Sequence, residues 1–160
     1  MKKKTLFIAQ SGMIAALYVV LTMLSSAAGL ASGVVQVRIS EALCILPVFT
    51  PAAIPGLFVG CIISNILAGG VVMDVIFGSV ATLIGAVGTY CLRKHNRFLA
   101  SVPPIVSNII IVPLVLRYAY GAPDALWFMM LTVGAGELIS CGFLGQILYT
   151  LMERTNAVKS

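Results

Sequence analysis

The chain is 160 residues long, 60% hydrophobic and only 9% charged, with a mean hydropathy of +1.08, where soluble domains carry roughly 25% charged residues. A chain this apolar needs hydrocarbon as its solvent, which excludes an ordinary cytosolic enzyme, a disordered tail and a nucleic-acid-binding module. Spans of about 20 residues leave room for about six helices, and continuous apolar runs without period-two alternation argue against a porin-like barrel.

Lys2, Lys3 and Lys4 precede the first apolar run, at about 5–28. That run ends in Ser25, Ser26, Ala27 and Ala28, as a signal peptide does, but its apolar core is longer than a cleaved signal needs, so a retained helix is expected. A polar outer loop follows at 29–38. The net charge of +5 reports orientation: eight of the ten basic residues lie at the ends of apolar runs, in Lys2–Lys4, in Arg93, Lys94 and Arg97, and in Arg154 and Lys159. Arg38 and Arg117 are the exceptions. With the three clusters cytoplasmic, 39–92 must cross the membrane an odd number of times. Three crossings fit: a short one ending near Pro47 or Pro51, a second over about 53–68 and a third over 74–92. Pro47, Pro51 and Pro55 each remove a backbone donor and make this the least regular part of the chain. Runs at about 98–119 and 125–152 flank a polar break at 120–124. The expected fold is all-α: residues 1–160 form one membrane domain of six transmembrane helices with cytoplasmic N- and C-termini.

Small residues recur at fourth positions: Ser11 and Ala15 with Gly12 and Ala16 in the first helix, Gly56, Gly60 and Ser64 in the third, and Gly78, Thr82 and Ala86 in the fourth. Such faces let helix backbones approach closely in lipid. In the third and fourth helices they read as packing within the bundle. On the terminal first helix the face suggests a partner helix. Cys44, Cys61, Cys91 and Cys141 lack metal or CxxC spacing and read as small buried hydrophobes.

Charges at membrane depth are expensive and mark function. Glu137 stands near the middle of the last run between Gly134, Gly136 and Ser140. It needs a ligand or a structural partner on another helix. Glu41 follows Arg38 by three residues, so the two pair locally or Arg38 orients Glu41 toward a pocket. Asp74 is either a helix N-cap or a pocket acid, and Asn65 and Asn108 bring amides into apolar surroundings. By the topology above, Glu41, Asn65 and Asp74 lie toward the outer half, with Glu137 and Asn108 deeper. Together they describe a polar pocket open to the outside. Its carboxylates suit paired N–H groups such as the edge of guanine, and its amides suit a carbonyl. Phe49, Phe58, Phe77 and Tyr90 are candidates for a flat stacking wall, while Trp127, Tyr118 and Tyr120 suit the membrane interface. His95, the one histidine, lies in the basic break. No nucleophile–base pair, metal set or phosphate-binding loop is present, so neither an enzyme nor an ATPase is expected, and no cofactor is implied.

The stretch Val37-Arg-Ile-Ser-Glu-Ala-Leu43, with Asn65, Gly69-Gly70, Asp74 and Gly78-Ser-Val-Ala-Thr-Leu83, resembles the QueT family over nearly the whole chain. These are substrate-binding (S) components of energy-coupling factor (ECF) transporters, assigned to queuosine precursors. The resemblance implies a bacterial plasma-membrane protein that binds a 7-deazaguanine base or queuine from outside. It would then join a transmembrane coupling subunit and two ATPase subunits. It also implies that Ser11, Gly12, Ala15 and Ala16 dock the coupling subunit, with Gly12 departing from the usual alanine. Arg38, Glu41, Asn65, Asp74, Asn108 and Glu137 would contact the ligand: an acid takes the guanine-like N–H edge, an asparagine the carbonyl, and Asp74 the amine of a cationic precursor. The rivals are a stand-alone secondary carrier for a nucleobase or vitamin, and an S component for another vitamin.

Overall fold

A computed structural model describes residues 2–30 and 35–155. Residues 31–34 of the expected outer loop, and Lys159 of the basic tail, lie outside the described residues. Helix α1 (Lys2–Ala27) leads into a 3-10 segment (Ile39–Val48), followed by α2 (Ala53–Leu67) and α3 (Val72–Leu92). A single turn, α4 (Arg97–Ala100), precedes α5 (Val102–Tyr118). The last run is α6 (Leu126–Glu137), a π-helical stretch (Leu138–Leu144) and α7 (Gly145–Arg154). The described residues thus form an all-α bundle.

Among the described residues, four continuous helical rods are long and apolar enough to cross a membrane: Lys3–Ala27, Val72–Leu92, Arg97–Tyr118 and Leu126–Arg154. Ile39–Val48 and Ala53–Leu67 are apolar but shorter. The outer surfaces are themselves apolar, with Ile8 70%, Val72 73%, Trp127 66% and Leu131 64% exposed. Faces of that kind are at home in hydrocarbon, where helices can satisfy every backbone group internally.

The two short elements sit at the centre. Ser40 through Pro47 are all buried, so this segment is enclosed by protein on every side rather than facing lipid on one. At about 2.0 Å rise per residue a 3-10 helix advances further than an α-helix of equal length. Ten residues therefore reach about 20 Å into the bundle. Pro47 removes one backbone donor within it, an irregularity tolerated where protein surrounds the chain. The segment touches α1, α3, α7 and the π-helical stretch, while α3 packs on α2 and α5, and α1 on α2.

The α1–α2 contact explains half of the small-residue face on α1. A Cβ at Gly56 would lie 2.8 Å from the Ser11 carbonyl oxygen, and one at Gly60 would lie 3.0 Å from that of Ala15. The Ser11 hydroxyl also donates to the Ala52 carbonyl at 2.9 Å. Ser11 and Ala15 are therefore turned toward α2, whereas Gly12 and Ala16 stay exposed. The expectation for the cysteines needs one amendment. Cys44, Cys61 and Cys141 are buried, but Cys91 is exposed, and all four are free thiols.

Candidate functional site

Glu41 is carried into the bundle by the buried 3-10 segment and is 2% exposed. A carboxyl so enclosed must be met by donors, and three converge on it. The Tyr18 hydroxyl of α1 donates to Oε1. The Cys44 thiol donates to Oε2 at 3.1 Å, and Asn108 Nδ2 of α5 reaches the same oxygen at 3.5 Å. Asn108 Nδ2 also donates to Glu137 Oε1 of α6 at 2.9 Å. One amide therefore ties together acids from two separate elements. Glu137 Oε2 is buried and has no hydrogen-bond partner. Immediately after Glu137 the helix widens into the π-helical stretch, a distortion often found at functional sites.

Arg38 Nη1 donates to Asn65 Oδ1 of α2 at 3.4 Å, and Asn65 Nδ2 reaches the Asp74 carbonyl at 3.4 Å. Arg38 thus partners Asn65 of α2, and Glu41 partners Tyr18, Cys44 and Asn108, rather than each other. Asp74 does not cap α3. Val71 holds the N-cap position, and Asp74 sits in the first turn, where a negative charge suits the helix dipole. Its Oδ2 accepts from the Tyr120 hydroxyl at 3.0 Å, and that hydroxyl accepts from the Val71 amide at 3.2 Å. Partial desolvation first, and to a lesser degree the charge of Asp74, push the Tyr120 phenol above its usual 10.0, opposed by the Val71 bond. Tyr120, expected at the membrane interface, therefore joins the loop after α5 to the start of α3.

Five of the six expected ligand residues line one inner cavity: Arg38, Glu41, Asp74, Asn108 and Glu137, with Gln36, Gly78 and Thr82 beside them. It holds only about 20 Å³, room for a water molecule. A larger chamber of about 440 Å³ adjoins it and shares Gln36, Arg38, Asp74 and Val112. Asn65, the sixth residue, lines this chamber with Thr22, Gly70 and Tyr120. The expected division by depth changes in one respect. Glu41 belongs with Glu137 and Asn108 in the inner group, because the 3-10 segment delivers it there, while Asp74 stands between the two compartments.

The aromatic wall expected from Phe49, Phe58, Phe77 and Tyr90 does not form around either compartment. Phe49 packs on Tyr149 at 5.0 Å, Phe77 is 42% exposed and Tyr90 lies beneath the Arg93 guanidinium. The aromatic that touches an inner acid is Tyr18, which sequence reasoning passed over, as it did Gln36. Tyr18 offered one available cue: a phenol in the middle of an apolar helix needs a buried partner. Gln36 offered none, being an ordinary amide in a polar loop. Its placement is set by Gly136, where a Cβ would lie 2.0 Å from the Gln36 carbonyl oxygen. Only a residue without a side chain lets the loop backbone seat there, directly beside Glu137.

Comparison with known proteins bears on what this site serves. The family model described as "QueT transporter" matches residues 8–154. The chain belongs to the QueT transporter family. It is accordingly a multi-pass bacterial membrane protein of a family described as transporters. It is similar to the queuosine precursor transporter QueT of Lactococcus lactis subsp. cremoris (strain MG1363), with 40% identity over 83 residues. That stretch covers 52% of this chain and 48% of the relative, so the alignment spans about half of each. No solved structure matches.

Proposed function

We propose that this member of the QueT family is the S component of an ECF-type ATP-driven importer. It captures a queuosine precursor, a 7-deazaguanine base or queuine, from outside the cell. The observation that carries the reading is the inner cavity: three carboxyl groups, one guanidinium and the Asn108 amide converge beneath a chamber of small-ligand size. Acids outnumber the single cation there, which favours a ligand rich in N–H donors or carrying a positive charge. The guanine-like edge of a deazaguanine supplies parallel N–H groups, and an aminomethyl substituent supplies the charge. The name of the Lactococcus relative supports the same substrate class.

In this reading the short elements Ile39–Val48 and Ala53–Leu67 complete a six-span bundle with both termini cytoplasmic, as the basic clusters at Lys3–Lys4, Arg93–Arg97 and Arg154 favour. The ligand enters the outer chamber and presents its N–H edge to Glu137, whose Oε2 is the unoccupied acceptor. Glu41, held by Tyr18, Cys44 and Asn108, supplies fixed negative charge behind it. Gly12 and Ala16 offer a small-residue strip on exposed α1 for a transmembrane coupling subunit, through which two ATPase subunits drive release. Ser11 and Ala15 support that strip from behind by packing on α2.

Equilibrium binding of the purified protein to a panel of deazaguanines, guanine and vitamins tests the substrate. Binding confined to the deazaguanines supports the reading; no binding to any of them overturns it. Glu137→Gln is expected to abolish ligand binding and uptake while the protein still inserts and associates with its partners. Normal ligand affinity in that variant removes Glu137 from the site. Uptake that persists without ATPase subunits would point to a secondary carrier.

A further inference from the structure

Gln36 lines all three of the chambers described below, a position that no other residue lining them shares. It borders the inner cavity, the 440 Å³ chamber and a third chamber of about 240 Å³ between the ends of α5 and α6. Its backbone is held by contact with Gly136, and the next residue along α6 is Glu137, whose buried Oε2 lacks a partner. The half-buried Gln36 thus lines the same inner cavity as Glu137, whose Oε2 is unoccupied.

The two groups are chemically complementary. A carboxylate only accepts, whereas a primary amide both donates and accepts. An acceptor beside a donor matches the edge of a guanine-type base, where N–H groups lie next to a carbonyl. It mismatches an adenine-type edge, which has an amino group and no carbonyl. Asn108, the other inner amide, is unsuited to the donor role because its NH2 already serves Glu137 and Glu41. Asn65 is engaged with Arg38 and the Asp74 backbone.

We propose that Gln36 is a specificity-determining ligand contact, its amide donating to the carbonyl of a guanine-type base whose N–H edge lies on Glu137. This rests on the reading of the site as a deazaguanine pocket. Gly136 is the positioning residue: it lets the Gln36 backbone seat close enough for the side chain to reach the base.

The test pairs a protein change with a ligand change. Binding of 7-aminomethyl-7-deazaguanine and of its analogue lacking the carbonyl oxygen is measured on the full chain in detergent, for wild type, Gln36→Ala and Gln36→Glu. Gln36→Ala keeps the backbone seat and is expected to weaken binding of the carbonyl ligand about tenfold, the equivalent of one neutral hydrogen bond. It should leave binding of the analogue unchanged. Gln36→Glu, of similar size, replaces the donor by an acceptor and should cost the carbonyl ligand more than Gln36→Ala does. Equal losses for both ligands would assign Gln36 a structural role and overturn the proposal, as would no loss for either. Wild type that binds neither ligand overturns the deazaguanine reading itself and this inference with it. Wild-type binding with a flat response to Gln36 changes overturns the inference alone.

Discussion

Tyr18→Phe removes one oxygen from a ring that is 1% exposed, and leaves its shape and packing intact. What changes is the hydrogen bonding of Glu41. Its other donors are a thiol, which is a weak one, at 3.1 Å and an amide at 3.5 Å, at the outer limit of a hydrogen bond. The Tyr18 hydroxyl is therefore the principal donor, and Oε1 depends on it. A hydrogen bond to a charged group contributes about 1.5–3 kcal/mol, and at 2% exposure no water replaces it freely. The expected loss is about 2 kcal/mol, equivalent to a fall in Tm of about 4–8 °C for a chain of this size. Thermal unfolding in one detergent at one scan rate measures it, with Tyr118→Phe as the control, since Tyr118 is 80% exposed. A double-mutant cycle adds specificity: in a Glu41→Gln background the Tyr18→Phe effect should shrink, because no charge remains to be served. A Tm unchanged from wild type, or an effect of the same size in the Glu41→Gln background, would refute the assignment of Tyr18 as the partner that keeps Glu41 in place.

The α1–α2 seam gives a second expectation. Gly60→Leu drives a side chain into Tyr18 Cβ at 2.9 Å and the Ala15 carbonyl at 3.0 Å, so it should destabilise by about 1–3 kcal/mol and weaken ligand binding by displacing Tyr18. The exposed strip of α1 should behave differently. Gly12→Leu, with nothing within 4 Å of its Cβ, should leave Tm and ligand affinity unchanged while reducing co-purification with coupling and ATPase subunits. Retained co-purification in both Gly12→Leu and Ala16→Leu would remove this strip from the docking surface. At the outer chamber, the Tyr120 phenol titrates above 10.0, chiefly through the partial loss of its solvent, since it is still 46% exposed. Since the native protein favours the protonated form, its bond to Asp74 is present below the ordinary phenol range and lost as pH rises through the elevated value. Alkaline difference spectra of wild type against Tyr120→Phe should show the missing phenol ionising later than a free tyrosine; earlier ionisation would contradict the contact.

Much of the architecture follows from composition and charge placement. Apolar runs named the helices at 5–28, 53–68, 74–92 and 98–119 to within a few residues, because lipid requires each span to satisfy its own backbone and to present apolar side chains. The same logic flagged Glu41, Asp74 and Glu137: acids are rare in such a chain, and burial makes each one need a partner. Those acids do line one cavity. The local geometry was not legible. A proline-bearing stretch between 39 and 51 is compatible with several short conformations, and enclosure by its neighbours selects the 3-10 form that brings Glu41 to Asn108. The π-helical stretch after Glu137 likewise has no signature in residue type.

The sequence by itself determined the solvent, the run of helices and which few side chains must be satisfied, since those depend on free energies of transfer that each residue carries with it. Tertiary structure alone decided who satisfies whom. Periodicity shows a small-residue face on α1 but cannot say that Ser11 and Ala15 meet Gly56 and Gly60 while Gly12 and Ala16 stay free. Nor can spacing along a chain bring Tyr18 to Glu41, Tyr120 to Asp74, or the Gln36 backbone against Gly136. These pairings join residues 23, 46 and 100 positions apart. They exist because helix packing, set by shape and close approach over whole faces, places them there.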